Sequence, residues 1–280
     1  MENTLYIIGN GFDLHHGLST SYLNFRNYCA ITTPSLWKNL SEMYGNVINN
    51  DMWWSEFENK LGCVNYDNLA LSNNGFAMGE QKVQNLFKGM LPPLFGKWIK
   101  QIGENPPMDT NLNIDTESLF FSFNYTLVLE STYHIDESKV WHVHNSIKNP
   151  DDIIIGHDSD ERVLFSTYST NKTRYIVSPD FVDRANRKIA QGAKKVKMII
   201  ENQKDRFYDL YSQIKHIVVM GFSFNKIDMP YIKAIIEVNK NAADVDWTIY
   251  FHSKGEDKIF IHKLLQIGVD CSQIKTPINW

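Results

Sequence analysis

The chain has 280 residues and a formal net charge of −4, with 43% hydrophobic and 21% charged residues. That is an ordinary globular composition with room for a substantial core, and it excludes a generally basic nucleic-acid-binding surface, though not a local basic groove. No apolar run approaches the roughly 18 residues of a membrane span, and the three cysteines, Cys29, Cys63 and Cys271, are odd in number and lack CxxC spacing. A disulfide framework and a cysteine zinc site are therefore not expected, and a reducing cytoplasm fits best. Only a short apolar run precedes Gly9, so the N-terminal residues are not expected to be a secretory signal.

Leu5 to Ile8 form a continuous apolar run rich in β-branched and aromatic side chains, the pattern of a buried strand. Gly9, Asn10 and Gly11 follow at once, as in the strand–turn–helix units that open many nucleotide-binding α/β domains. The third glycine of GxGxxG is missing, and Leu14 stands in its place. Ser19, Thr20 or Ser21 is placed to cap a helix carrying Tyr22, Phe25, Tyr28 and Cys29 at helical spacing. Residues 35–115 hold amphipathic helical patterns without a convincing strand, and Pro92 and Pro93 are expected to break one of them. This stretch is expected to be a helical insertion or lid, leaving 1–34 and 116–280 as the α/β core. Glu56 and Glu58, in its aromatic segment MWWSEFENKLG, read by default as solvated surface.

Beyond Ser118 strands alternate with helices. LFFSFNYT, KVWHVHNS, DDIIIGHD, HIVVMGF, DWTIYFH and VDCSQIK read as strands. A helix begins near Thr126, and a long basic helical stretch spans Phe181 to Ile214, its Arg184 to Lys197 portion most simply a solvated face. A further helix spans Met229 to Val238, with Asp228 as its N-cap, and one follows from Glu256 to a Gly268 cap. The pattern predicts a doubly wound, mostly parallel, Rossmann-like sheet, which binds ligands beyond the carboxyl ends of its strands.

Five strand ends are small or polar: Gly9–Asn10–Gly11, Ser122 to Thr126, His142 to Asn145, Gly156–His157–Asp158, and Gly221 to Phe224. Buried polar groups are costly unless paired, so their convergence points to a ligand site. His142 and His144 lie two apart on one strand and share a face, so one of them reads as a packed core imidazole. With His157 and Asp158 they also admit a metal site, the basis of an alternative reading as a metal-dependent nuclease.

The segments IIGNGFDLHHGLSTSY, WWSEFENKLG, SFNYT with the downstream Glu130, HVHN, IIIGHD and MGFSFNKIDMPY together resemble the successive motifs of the AbiH family of bacterial phage abortive-infection proteins. Asn145 departs from the glycine expected after the histidine, and Ser19 from a usual proline. The same motifs more distantly resemble the sirtuin-like NAD-binding fold. That resemblance implies NAD or a related nucleotide as ligand or substrate, cradled by Gly9, Asn10, Gly11, Phe12 and Asp13 and contacted by Gly221 and Ser223. It implies Asn124 and His144 as the residues that orient water and take its proton during hydrolysis. His142, Gly156, His157 and Asp228 complete the candidate contacts. The zinc cysteines of sirtuins are absent, so protein deacylation is not implied and no metal is expected. The resemblance also implies a phage-derived trigger and allows a homo-oligomer. It does not favour a nucleic-acid partner, and no membrane partner is expected. The alternative from another functional class is a nucleotide-sensing module without catalysis.

Overall fold

The computed structural model describes residues 3–65, 76–104, 107–108, 112–158, 179–251 and 255–277. The chain forms two compact units, each assembled from separated segments: Met1–Thr20, Ile99–Pro150 and Val196–Trp280 in the first, Ser21–Trp98 and Asp151–Lys195 in the second.

The first unit carries a six-stranded sheet in the order β3-β2-β1-β4-β5-β6, with every neighbouring pair parallel. The strands are β1 (Thr4–Ile8), β2 (Leu119–Ser122), β3 (Val140–His142), β4 (His216–Met220), β5 (Asp246–Ile249) and β6 (Ile274–Lys275). The fold is α/β and Rossmann-like, as the alternation of strands and helices predicts. β1 is buried along its whole length because it is central, with Leu5 opposite both Leu119 and Ile217. Such a strand needs apolar residues on both faces, and TLYII supplies them. Leu5, Ile7, Phe121, Val219, Trp247 and Ile249 form a core with Phe207, Tyr211, Tyr231, Ile232 and Ile235 from the helices Lys204–Tyr211 and Met229–Val238.

The chain order reverses between β1 and β4, and there the two strand ends lock together. Gly9 N–H donates to Met220 O at 3.0 Å and Gly11 N–H to Gly221 O at 2.9 Å. A Cβ on Gly9 would lie 2.6 Å from Gly221 O and one on Gly11 2.7 Å from Gly221 Cα. Gly221 itself has φ +66°, and a Cβ there would sit 2.2 Å from Phe12 N. The three glycines are thus required by backbone contact within the protein. Helix α1 (Asn10–His15) starts directly from this contact, ahead of the helix at Tyr22–Thr32 that Ser21 caps through Asn24 N–H.

In the second unit Phe25, Trp54, Phe57, Phe95 and Trp98 form an aromatic core, with Trp54 and Phe57 stacked at 4.9 Å. Pro92 and Pro93 do not break the helical path. The helix Phe76–Asn85 passes through a π-turn at Leu86–Met90 into Leu91–Gly103, which puts both prolines in a first turn, where a missing N–H costs little. The basic stretch after Phe181 divides into Pro179–Ile189, Val196–Asn202 and Lys204–Tyr211, with a 3₁₀ turn at Ala190–Gly192. Its residues are not a simple solvated face: Arg184 pairs with Glu80, and Lys194 is buried against Glu58, with Nζ 2.9 Å from each carboxylate oxygen. Glu58 is therefore a buried partner, whereas Glu56 is exposed and pairs with Lys60. The segment DDIIIGHD is not a sheet strand. Its one bridge joins His157 to Ala193, and a Cβ on Gly156 would be 2.0 Å from Gly192 O. Among the described residues, no helix is long and apolar enough to cross a membrane.

Two stability tests follow from these contacts. Gly221→Ala meets both a left-handed φ and a backbone clash, and is expected to cost about 3 kcal/mol or more in urea unfolding. Lys194→Met strands a buried carboxylate and is expected to cost about 3–5 kcal/mol, most of it recovered when Glu58→Leu is added; equal losses in the single and double variants would contradict this account.

Candidate functional site

Asp13, on the buried face of α1, is the centre of a polar cluster at the carboxyl edge of β1 and β2. It is 2% exposed. Asn124, two residues beyond β2, donates from Nδ2 to Asp13 Oδ1 at 2.8 Å, and Thr126 Oγ1 lies 2.7 Å from Asp13 Oδ2. Ser122 steadies this turn by accepting from Asn124 N–H. Burial pushes the Asp13 carboxyl up from its ordinary 3.8 to about 7; the bonds from Thr126 and Asn124 and the charge of His142 offset this only in part.

The cluster continues through Asn124. Its backbone carbonyl accepts a hydrogen bond from His142 Nδ1 at 2.8 Å, and His142 Nε2 lies 2.9 Å from Glu130 Oε1. Both ring nitrogens face acceptors, so the His142–Glu130 pair shares a proton in addition to the one on Nδ1. Glu130 stands on the helix Val128–Thr132, and its Oε2 is buried with no hydrogen-bond partner among the described residues.

The two predicted histidines have different surroundings. β3 ends at His142, and His144 lies in the turn beyond it. His144 is 2% exposed, ringed by Phe123, Tyr125 and Tyr231, with Nε2 3.8 Å from Asp228 Oδ1. Asp228 precedes Met229–Val238 as expected but makes no side-chain cap, and is itself buried. Asn145 has φ +63°, which explains a glycine as the usual residue there; asparagine is among the best-tolerated substitutes. Ser223 is exposed, and the loop it begins is held by Lys263, whose Nζ donates to Ser223 O at 3.2 Å and Phe224 O at 2.8 Å. Phe224 there takes φ +52°, a strained value for an aromatic residue.

The remaining predicted residues separate. Asn10 is exposed at the tip of the turn. Phe12 is wholly buried and packs on His16 and Tyr133, while its N–H is taken by Gly9 O. Gly156 and His157 belong to the second unit, where the His157 ring nitrogens meet Asp158 O at 2.7 Å and Ile189 O at 2.8 Å. Among the described residues, no group of three or more His, Cys, Asp or Glu side chains is placed to hold a metal ion.

Thr126 and Glu130 join the cluster although the motif reading gave neither a role. His16 was also overlooked. It is wholly buried, with Nδ1 donating to Phe12 O at 2.7 Å and Nε2 2.6 Å from Tyr133 Oη.

The family model described as "Bacteriophage abortive infection AbiH" matches residues 5–88 and 76–251. No curated protein matches the chain.

The Asp13 environment sets a pH dependence. The folded chain holds the Asp13 proton more tightly than the unfolded chain, so this group favours folding below pH 3.8, and that contribution is lost as pH rises through about 7. Asp13→Asn keeps an oxygen for Asn124 and offers an amide to Thr126 Oγ1. It is expected to match wild type near pH 4 and to exceed it by about 2–4 kcal/mol at pH 8 in denaturant unfolding.

Proposed function

Because the chain belongs to the AbiH family of bacteriophage abortive infection proteins, we propose that it acts in that response by hydrolysing a nucleotide, NAD⁺ or a relative, beyond the carboxyl edge of the sheet. The observation that carries this reading is Asp13: a buried carboxyl, fixed by two side chains, with a pKa raised to about 7 beside the point where strand order reverses. Doubly wound sheets bind ligands at that point, and a proton acceptor works best near the operating pH.

In this scheme the oxygen of a water bonds to the ribose C1′. The C1′–nitrogen bond breaks with its electron pair going to nicotinamide, and the proton of the water passes to Asp13. Asn124 fixes the carboxylate through Nδ2 and orients the water through Oδ1. The deeper, aromatic-ringed His144 lines the site, and Asp13 takes the proton role that the sirtuin resemblance gives to the histidine. Gly9, Gly11 and Gly221 shape the floor, and Ser223 faces the ligand from the β4 side.

A second reading, a nucleotide sensor without turnover, is favoured by one observation. The N–H groups of Gly9, Gly11 and Phe12 are all spent on protein carbonyls, so the turn offers few donors to a phosphate.

Purified chain incubated with NAD⁺, with and without phage lysate as trigger, separates the two. Nicotinamide release is expected to rise through pH 7 and level off above it, as Asp13 loses its proton. Asp13→Asn and Asn124→Ala are expected to slow it at least about 100-fold. NAD⁺ binding without release would favour the sensor; absence of binding would overturn both readings.

A further inference from the structure

Glu130 is engaged on one side only. Its Oε1 meets His142 Nε2 at 2.9 Å, while its Oε2 is buried and has no partner among the described residues. The side chain is 13% exposed, and that of His142 is 11% exposed. A buried carboxylate oxygen without a donor is unfavourable, so a donor from outside the chain belongs at this position. Its chemistry follows from the partner already there. His142, bonded to the Asn124 carbonyl through Nδ1, holds Oε1 through Nε2. With that side taken by an imidazole, a small neutral donor completes the set, and a hydroxyl is the neutral donor a nucleotide sugar offers. Glu130 also follows β2, the immediate neighbour of β1, so it stands on the same carboxyl edge as Asp13.

We infer that Glu130 Oε2 accepts the 2′-hydroxyl of the ribose whose C1′ bond is cleaved, while its Oε1 holds His142. This rests on the nucleotide-hydrolase reading above and adds a catalytic residue to it. The contact strengthens during reaction. As the C1′–nitrogen bond breaks, the ribose becomes oxocarbenium-like, and the carboxylate bonded to its 2′-hydroxyl places negative charge beside the developing positive charge.

The test compares NAD⁺ with the analogue lacking the 2′-hydroxyl on the nicotinamide ribose. Both are titrated calorimetrically into the full chain carrying Asp13→Asn, which removes the proposed base. NAD⁺ is expected to bind at least ten-fold more tightly than the analogue. Adding Glu130→Gln keeps an oxygen for the His142 Nε2–H but turns the free acceptor into an N–H₂ donor. It is expected to weaken NAD⁺ about ten-fold, leave the analogue unchanged and so abolish the discrimination, with the melting temperature held or raised. A merely structural role would weaken both ligands together. Equal binding of the two ligands before the Glu130 change, or discrimination that survives it, would overturn the inference while leaving the nucleotide reading standing. Failure of both ligands to bind would instead overturn the nucleotide reading and the inference with it.

Discussion

The backbone contact between the ends of β1 and β4 governs the first unit. With three glycines meeting there, Gly9 and Gly11 donate to Met220 and Gly221 carbonyls and α1 begins at Asn10. Any side chain at these positions would push the strand ends apart and carry α1 with them. Asp13 is on α1, and its distances to Asn124 and Thr126 depend on where that helix starts. A steric constraint on backbone thereby fixes the reach of a carboxyl group.

The polar cluster illustrates how a buried site can be built from few groups. Desolvation alone makes an ionised Asp13 costly, and the protein answers with two hydrogen bonds and a nearby histidine without cancelling the penalty. What remains is a carboxyl group that changes charge near neutrality. His142 bridges the backbone of Asn124 to Glu130, so a shift in one proton is felt along the connected set.

The sheet was legible because its strands obey simple rules. TLYII and HIVVM are short apolar runs bounded by glycine, and central parallel strands demand such runs. Gly156 misled for the same reason: DDIIIGHD has the composition of a buried strand, yet it belongs to the second unit, where Gly156 lies against Gly192. Pro92 and Pro93 signal a break, but a π-turn before them lets a new helix begin there. Asn124 was visible from its place at a strand end, and Asp13 only through the resemblance to the sirtuin-like fold. Glu58 was not, because its partner Lys194 is 136 residues away and local pattern carries no trace of such a pair. Glu130 was visible as a letter of a motif, but its burial beside His142 is a property of tertiary packing alone.

The interleaving of the two units has a consequence for synthesis. β1 lies far ahead of its neighbours in the chain: β2 and β4 begin only at Leu119 and His216. For much of translation, five consecutive core residues with both hydrogen-bonding edges bare have no native partner. The second unit waits as well, since Glu58 meets its cation only after residue 194 has been made. A chain that stops short of Gly221 therefore lacks the glycine contact from which α1 starts. The polar centre around Asp13 thus rests on a backbone contact whose second half, at Met220 and Gly221, is synthesised well after the centre's own last member, His142.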